Sequence, residues 1–260
     1  MLSLKALFST FKIHLSQSFS RATFRFCILF QPILYSFILY TMYKDSTHIN
    51  YVNYVVLGSG ITSLWSALCF SSAGDIERER YMGTLENIFC APTKFTTVVI
   101  GKILANTFLS LSSLLISLIF IKIAFNGNFF VAHLGLFCLS LLLLIFSFMC
   151  IAMVIAPIFT LSRNARALMN CLEYPIFILC GIVFPIDLLP RWVRPLSYIL
   201  SPTWSADLLR QSSLGITDFS LFYRKIFILL ILCLFYLIIS AKLFAKIDRL
   251  TRIKATLGVN

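Results

Sequence analysis

Residues 132–160 read AHLGLFCLSLLLLIFSFMCIAMVIAPIFT, twenty-nine positions without a single Asp, Glu, Lys or Arg. A hydrocarbon layer roughly 30 Å thick is crossed by about 20 apolar residues in helical form, so this run is long enough to cross. Working outward, further apolar runs cover roughly 24–43, 52–73, 95–124, 167–185 and 221–245, each also read as long enough. The runs at 95–124 and 132–160 exceed the usual length and are expected to tilt or to extend past the bilayer on one side. Of the 260 residues, 59% are hydrophobic and 12% are charged, and Phe occurs 26 times, which excludes a soluble globular domain. The expected fold class is therefore an all-α polytopic membrane protein with six transmembrane helices and no separate soluble domain.

Charge placement gives the expected orientation. The formal charge of +12 could indicate nucleic acid, but the basic residues sit in short clusters between apolar runs, the signature of loops beside anionic lipid. Residues 1–25, 74–102, 161–166 and 242–260 hold fifteen of the 22 Lys and Arg, and the opposite loops and span ends hold seven. Both termini are therefore expected in the cytoplasm of a multi-pass cell-membrane protein, with membrane lipids and not nucleic acid as a partner.

At the N-terminus, Leu4, Phe8, Phe11, Leu15 and Phe19 recur at intervals of three or four, with Lys5, Lys12, His14 and Gln17 mostly between them. Residues 1–22 are expected to form an amphipathic helix along the interface. The run that follows has Arg21 and Arg25 before it, as a signal peptide would, yet it is too long and no small-residue cleavage site follows, so it is read as a retained span. The eight cysteines form no Cys-x-x-Cys pair and are read as small buried hydrophobes. His14, His48 and His133 are isolated in sequence, and neither a His-Glu-x-x-His nor a paired-carboxylate arrangement occurs, so no catalytic constellation is expected.

Two polar interruptions carry the functional signal. Between the second and third runs stands Gly74-Asp75-Ile76-Glu77-Arg78-Glu79-Arg80-Tyr81-Met82-Gly83-Thr84-Leu85-Glu86-Asn87-Ile88-Phe89-Cys90-Ala91-Pro92. Asp75 can cap a helix, Pro92 can end one, and Met82, Leu85, Ile88 and Phe89 share a face, so residues 75–91 are expected to lie on the membrane with their charges offered to the cytoplasm. A solvated charge run with internal ion pairs is the competing reading. After the fifth run stands Phe184-Pro185-Ile186-Asp187-Leu188-Leu189-Pro190, and later Leu200-Ser201-Pro202-Thr203-Trp204 and Asp207-Leu208-Leu209-Arg210.

Glu79-Arg80-x-x-Gly83-Thr84-Leu85-Glu86 with Pro92 resembles the cytoplasmic signature of the type-2 ABC exporter permeases. Phe184-Pro185 through Leu189-Pro190 resembles that family's Phe-Pro-x-x-x-Leu-Pro motif, and the two stretches beyond it resemble its closing segment. The resemblance spans nearly the whole chain and implies a half-transporter of two six-span subunits, a homodimer or heterodimer, above two ATP-binding cassette subunits. It implies that Glu79, Arg80, Gly83, Thr84, Glu86 and Pro92 belong to a coupling helix at 75–91 that meets the ATPase partner. It also implies a re-entrant external hairpin at 186–215, with Phe184, Pro185 and Pro190 near the gate. An ordinary external loop anchored by Trp192 and Trp204 is the alternative for that segment.

No Gly-x-x-x-x-Gly-Lys-Ser/Thr occurs, since Gly101-Lys102 is followed by Ile103, so ATP and Mg are expected on a separate chain and no cofactor on this one. Glu173 is the acidic residue well inside an expected span, a costly place for a carboxylate unless it is paired, neutral or facing water. It either lines the export pathway or is a structural hydrogen-bonding group satisfied by a neighbouring helix, with Asn170 three residues earlier on the same face. Phe and Leu dominate the candidate lining, which favours an amphipathic or hydrophobic substrate. The competing function is an ion-gradient-driven secondary transporter or channel.

Overall fold

Small residues decide which helix sits in the middle. Residues 58–67 read Gly-Ser-Gly-Ile-Thr-Ser-Leu-Trp-Ser-Ala, and small side chains let neighbouring helices approach closely in an apolar medium. In the computed structural model, which describes residues 2–44, 51–84, 87–88, 93–162 and 165–254, every position from Val55 to Cys69 is buried. The hydroxyls of Ser59, Thr62 and Ser63 donate to the carbonyls of Val55, Gly58 and Ser59, four residues back, so they stay satisfied without water.

The described residues are helical, with no strand among them. In chain order they form α1 (Leu2–Ser20), α2 (Ala22–Tyr43), α3 (Tyr51–Tyr81), α4 (Phe95–Ser110), α5 (Ser112–Phe125), α6 (Leu134–Leu161), α7 (Ala165–Leu179), a 3-10 turn (Ile186–Leu188), α8 (Arg194–Ile199), α9 (Ser201–Leu214) and α10 (Phe219–Lys254). The central helix is α3, which packs against α2, α4, α5, α6, α7 and α9. Its core partners include Phe148 and Ile155 of α6, Ile103 of α4 and Phe177 of α7. Trp65 meets Phe148 edge to face, with ring centroids 5.4 Å apart. By contrast α2, α4, α5 and α10 present Phe26, Phe30, Phe37, Phe108, Leu115, Phe227, Leu234 and Phe235 outward, as lipid-facing helices do.

Where the sequence leads to six crossings, the structure has five helical runs of crossing length among the described residues: Phe24–Tyr43, Tyr51–Cys69, Phe95–Phe125, Leu134–Thr160 and Phe219–Arg249. The fifth expected span, 167–185, is instead the 15-residue α7, about 22 Å long. It stops early because Gly181 takes φ +63. There the Gly181 N–H donates to the Ile178 carbonyl and the Ile182 N–H to that of Phe177, the paired bonds of a Schellman stop. Even so, α7 lies antiparallel to α3: Ser162 just before it meets Arg80, Glu173 meets Ser66, and the Ile182 carbonyl after it lies against Gly58.

The N-terminal helix is present, with Leu4, Phe8 and Phe19 exposed as expected, while its polar residues His14 and Ser18 are turned inward. Residues 75–81 are the last turns of α3 and not the start of a separate helix. The chain turns only at Met82 and Gly83, where Gly83 has φ +69. Glu86 and Pro92 lie outside the described residues. The stretch 186–215 is a 3-10 turn followed by α8 and α9, and most of α9 is buried against α6 and α10.

At Gly60, α3 and α5 are in close contact. A Cβ there would stand 2.2 Å from Leu114 Cδ2 and 3.2 Å from its Cα, whereas one at Gly135 would meet nothing within 4 Å. Gly60→Val is expected to destabilise the detergent-solubilised protein by about 1–3 kcal/mol, the usual cost of overpacking, with Gly135→Val near neutral. Adding Leu114→Ala should restore part of the loss in thermal unfolding, and no restoration would disprove the contact.

Candidate functional site

The lower turns of α3 carry Asp75 and Glu79, four residues apart and therefore on one face. The facing helix α4 carries Lys102 and Asn106 with the same spacing in the opposite direction. The two helices pair these residues as rungs: Lys102 Nζ bonds Glu79 Oε1, and Asn106 Nδ2 donates to Asp75 Oδ2 at 3.4 Å. From α1 comes His14, whose Nε2 lies 2.8 Å from Asp75 Oδ2. Arg21, between α1 and α2, donates to Asp75 Oδ1, and Ser18 Oγ donates to Asn106 Oδ1 at 3.1 Å. Asp75 is thus a buried carboxylate serving three elements. Burial alone pushes its carboxyl up, but the hydrogen bond and charge of His14, together with Arg21, more than offset that and hold it below the ordinary carboxylate range.

Arg80 is turned by one helical position from Glu79 and reaches α6 instead. Its Nη1 donates to the Ser162 carbonyl at 2.5 Å and its Nη2 to that of Thr160. These are the carbonyls left unpaired at the C-terminus of α6, where a cation is also favoured by the helix dipole. The expectation that this segment offers its charges to the cytoplasm therefore does not hold for Glu79 and Arg80, which bond Lys102 and the end of α6. What the segment leaves open is Tyr81, 88% exposed, and Met82, 58% exposed. Gly83 and Thr84 are exposed beside them, with Thr84 Oγ1 donating to the Glu79 carbonyl at 3.3 Å.

Halfway along α3, Ser66 Oγ donates to Glu173 Oε1 at 2.5 Å. Glu173 is buried, and on the neighbouring α2 Gln31 Nε2 donates to Tyr35 Oη at 3.2 Å. The partner of Glu173 is thus Ser66 on the neighbouring α3, while Asn170, Cys171 and Tyr174 of α7 are exposed.

At the far end, the turn after α7 presents three carbonyls in succession. Arg210 of α9, itself buried, donates from Nη1 to Gly181 at 2.6 Å and from Nη2 to Ile182. Tyr43 Oη of α2 donates to Val183 at 3.0 Å. The Arg210 guanidinium also lies over the Tyr54 ring of α3, 4.4 Å from its centroid, a cation–π contact. Phe184 and Pro185 follow this turn half-buried, and Pro190 is exposed. A third arginine secures the next bend: Arg194 donates to the carbonyls of Leu189 and Asp187 at 3.1 and 2.7 Å. Lys225 Nζ reaches Asp207 Oδ2 at 2.6 Å, joining α10 to α9.

Sequence reasoning missed Asp75, Lys102, His14 and Arg210 as functional residues. The matched four-residue spacing on α3 and α4 was the one available signal. A bond from arginine to a main-chain carbonyl leaves none.

A family model described as ABC-2 family transporter protein matches residues 40–242. No curated protein matches the chain.

Two outcomes test the site. Arg210→Met orphans two carbonyls in the interior, at about 1–3 kcal/mol each, and should lower the thermal midpoint by several degrees, whereas Arg194→Met at the exposed bend should lower it less. Equal effects would contradict the difference in burial. Because the Asp75 pKa is depressed on folding, its contribution is complete above the ordinary carboxylate range near pH 4 and is lost as pH falls through the lower folded value. Acidification from about pH 5 to about pH 3 should therefore cost the wild type more stability than Asp75→Asn, as followed by tryptophan fluorescence.

Proposed function

The chain belongs to the ABC-2 transporter family, and from that footing we propose that it is the membrane-spanning subunit of an ATP-driven exporter, coupled to a separate ATP-binding cassette chain. The observation that carries this reading is the division of labour at the end of α3. Tyr81 and Met82 project outward beside the Gly83 turn, while Glu79 and Arg80 reach inward to α4 and α6.

A partner seated on Tyr81, Met82, Gly83 and Thr84 pushes on a lever whose next two side chains are bonded to other helices. Motion of this turn then passes through Lys102 to α4, and through Arg80 to the junction of α6 and α7. The family resemblance adds Glu86 and Pro92 to the residues that meet the partner in this reading. ATP and Mg belong to the partner, and this chain contributes no catalytic group.

The proposed topology is six crossings in the cell membrane, with α7 and its closing turn making the fifth and with both termini cytoplasmic. Supporting this, α1 docks on α4, and Phe244 near the end of α10 packs at a tilt against Phe95 at the start of α4, with ring centroids 5.9 Å apart, so both terminal helices meet the same end of the bundle. The stretch 186–215 serves as the external hairpin that closes the exit, with Phe184, Pro185 and Pro190 at its hinge.

Two copies, or this chain and a similar one, face each other across the path of an amphipathic or hydrophobic substrate. Glu173 acts from behind that wall, its bond to Ser66 setting the rotation of α7 and so of the exposed Asn170, Cys171 and Tyr174.

The test is purification from native membranes under mild detergent, which should recover an ATP-binding chain in stoichiometric amount. Arg80→Met should retain that chain, yet lose most of the coupling between ATP hydrolysis and export, since charge-assisted bonds contribute about 1.5–3 kcal/mol. Transport that persists without any ATPase partner and follows an ion gradient would overturn the proposal.

A further inference from the structure

The N-terminal helix is attached by its polar side. Leu4, Phe8 and Phe19 point away from the protein, and the residues that seat α1 on the bundle are His14 and Ser18, with Thr10 against Gly101 and the Phe11 ring edge-on to Phe108 at 6.3 Å. A Cβ at Gly101 would stand 3.0 Å from Thr10 Cβ and 3.1 Å from the Leu7 carbonyl, so the glycine provides the flat bed on which the helix lies. Between α1 and α2, Arg21 has extended backbone at φ −83 and ψ 127, which breaks the two helices and supplies a hinge.

We propose that α1 is a pH-dependent latch: it is seated while His14 is protonated against Asp75, and it swings about Arg21 onto the membrane surface when that imidazole becomes neutral.

The geometry concentrates the hold on one carboxylate. Asp75 is faced by His14 from α1, by Arg21 at the hinge and by Asn106 from α4. The cleft beside it adds Glu79 of α3 and Lys102 of α4, which bond each other, and Ala156 of α6, which carries no charge. Arg21 is always charged, and Asn106 never is. Among the partners of Asp75, His14 is therefore the one whose charge depends on pH, and imidazole is the side chain that changes charge between about pH 5 and 8.

Losing the positive charge turns a buried ion pair into a neutral hydrogen bond at most, which weakens the seat. Arg21 keeps its own bond and remains as the pivot. Release parts Phe11 from Phe108, and a lipid interface can take up that ring together with Leu4, Phe8 and Phe19, which already point outward. The device belongs to this chain alone and does not rest on the transport reading.

The protein in lipid nanodiscs tests the latch. Thr10→Cys places a thiol in the α1–α4 contact, and Ser16→Cys places one on the exposed side of the same helix as a reference for the pH dependence of alkylation itself. The measured quantity is the ratio of maleimide labelling rates at the two positions, at about pH 6 and about pH 8. The expected result is a ratio that rises several-fold with pH in the otherwise native chain, that is independent of pH in His14→Gln, and that is high at both values in Asp75→Asn.

A ratio independent of pH with His14 present overturns the proposal, as does a pH step that survives His14→Gln. A low ratio in Asp75→Asn, equal to that of the parent, also overturns it by showing that α1 is seated by other contacts. Monodisperse gel-filtration profiles for each variant separate release of α1 from general unfolding.

Discussion

A helix enclosed on every side by other helices can keep polar groups only where each finds a partner, because no water is there to supply one. The rest of the molecule is arranged around that condition in α3. Its middle meets it with small residues and with hydroxyls bonded back to their own helix. Its lower end meets it with side chains aimed at different neighbours: Asp75 at α1 and α4, Glu79 at α4, and Arg80 at α6. Displacing that end would break bonds to three elements, so it cannot move without them.

The breaks in the chain follow the same logic. A helix that stops inside an apolar medium leaves carbonyls without donors, and arginine can serve two of them from one planar fork. Arg80 does this at the end of α6 and Arg210 at the end of α7, while Arg194 does it at the bend that follows. The helix before such a turn therefore need not be long. The 15-residue α7 is completed by a turn whose carbonyls are held from α9 and α2, and the glycine at position 181 is needed because the turn requires a positive φ.

For a member of a transporter family this construction separates two roles that one charged segment would otherwise combine. Exposed Tyr81 and Met82 are available to a partner, and the charges next to them are committed within the chain. An exposed ion pair contributes little, but the Glu79–Lys102 pair is largely enclosed, and Arg80 is bonded to carbonyls at the end of α6. Glu79 and Arg80 are thus held within the chain and are not free for an outside partner.

Length and period were enough to read the α-helical class, five of the six expected crossing runs and the outward Leu4, Phe8 and Phe19 of α1, because these depend on residues close together in the chain. The interruptions at 75–92 and 184–190 were legible for the same reason, since Pro, Gly and charge stand out locally against an apolar background. What only the tertiary structure decided was the partner of each polar group. Asp75 and Asn106 are 31 positions apart, Arg80 and Ser162 are 82 apart, and Glu173 met Ser66 across 107 residues and not its helical neighbour Asn170. A side chain announces that it needs a partner, but a main-chain carbonyl looks the same at every position. Which carbonyls go unpaired, and which arginine reaches them, is fixed only when the helices have ends and neighbours.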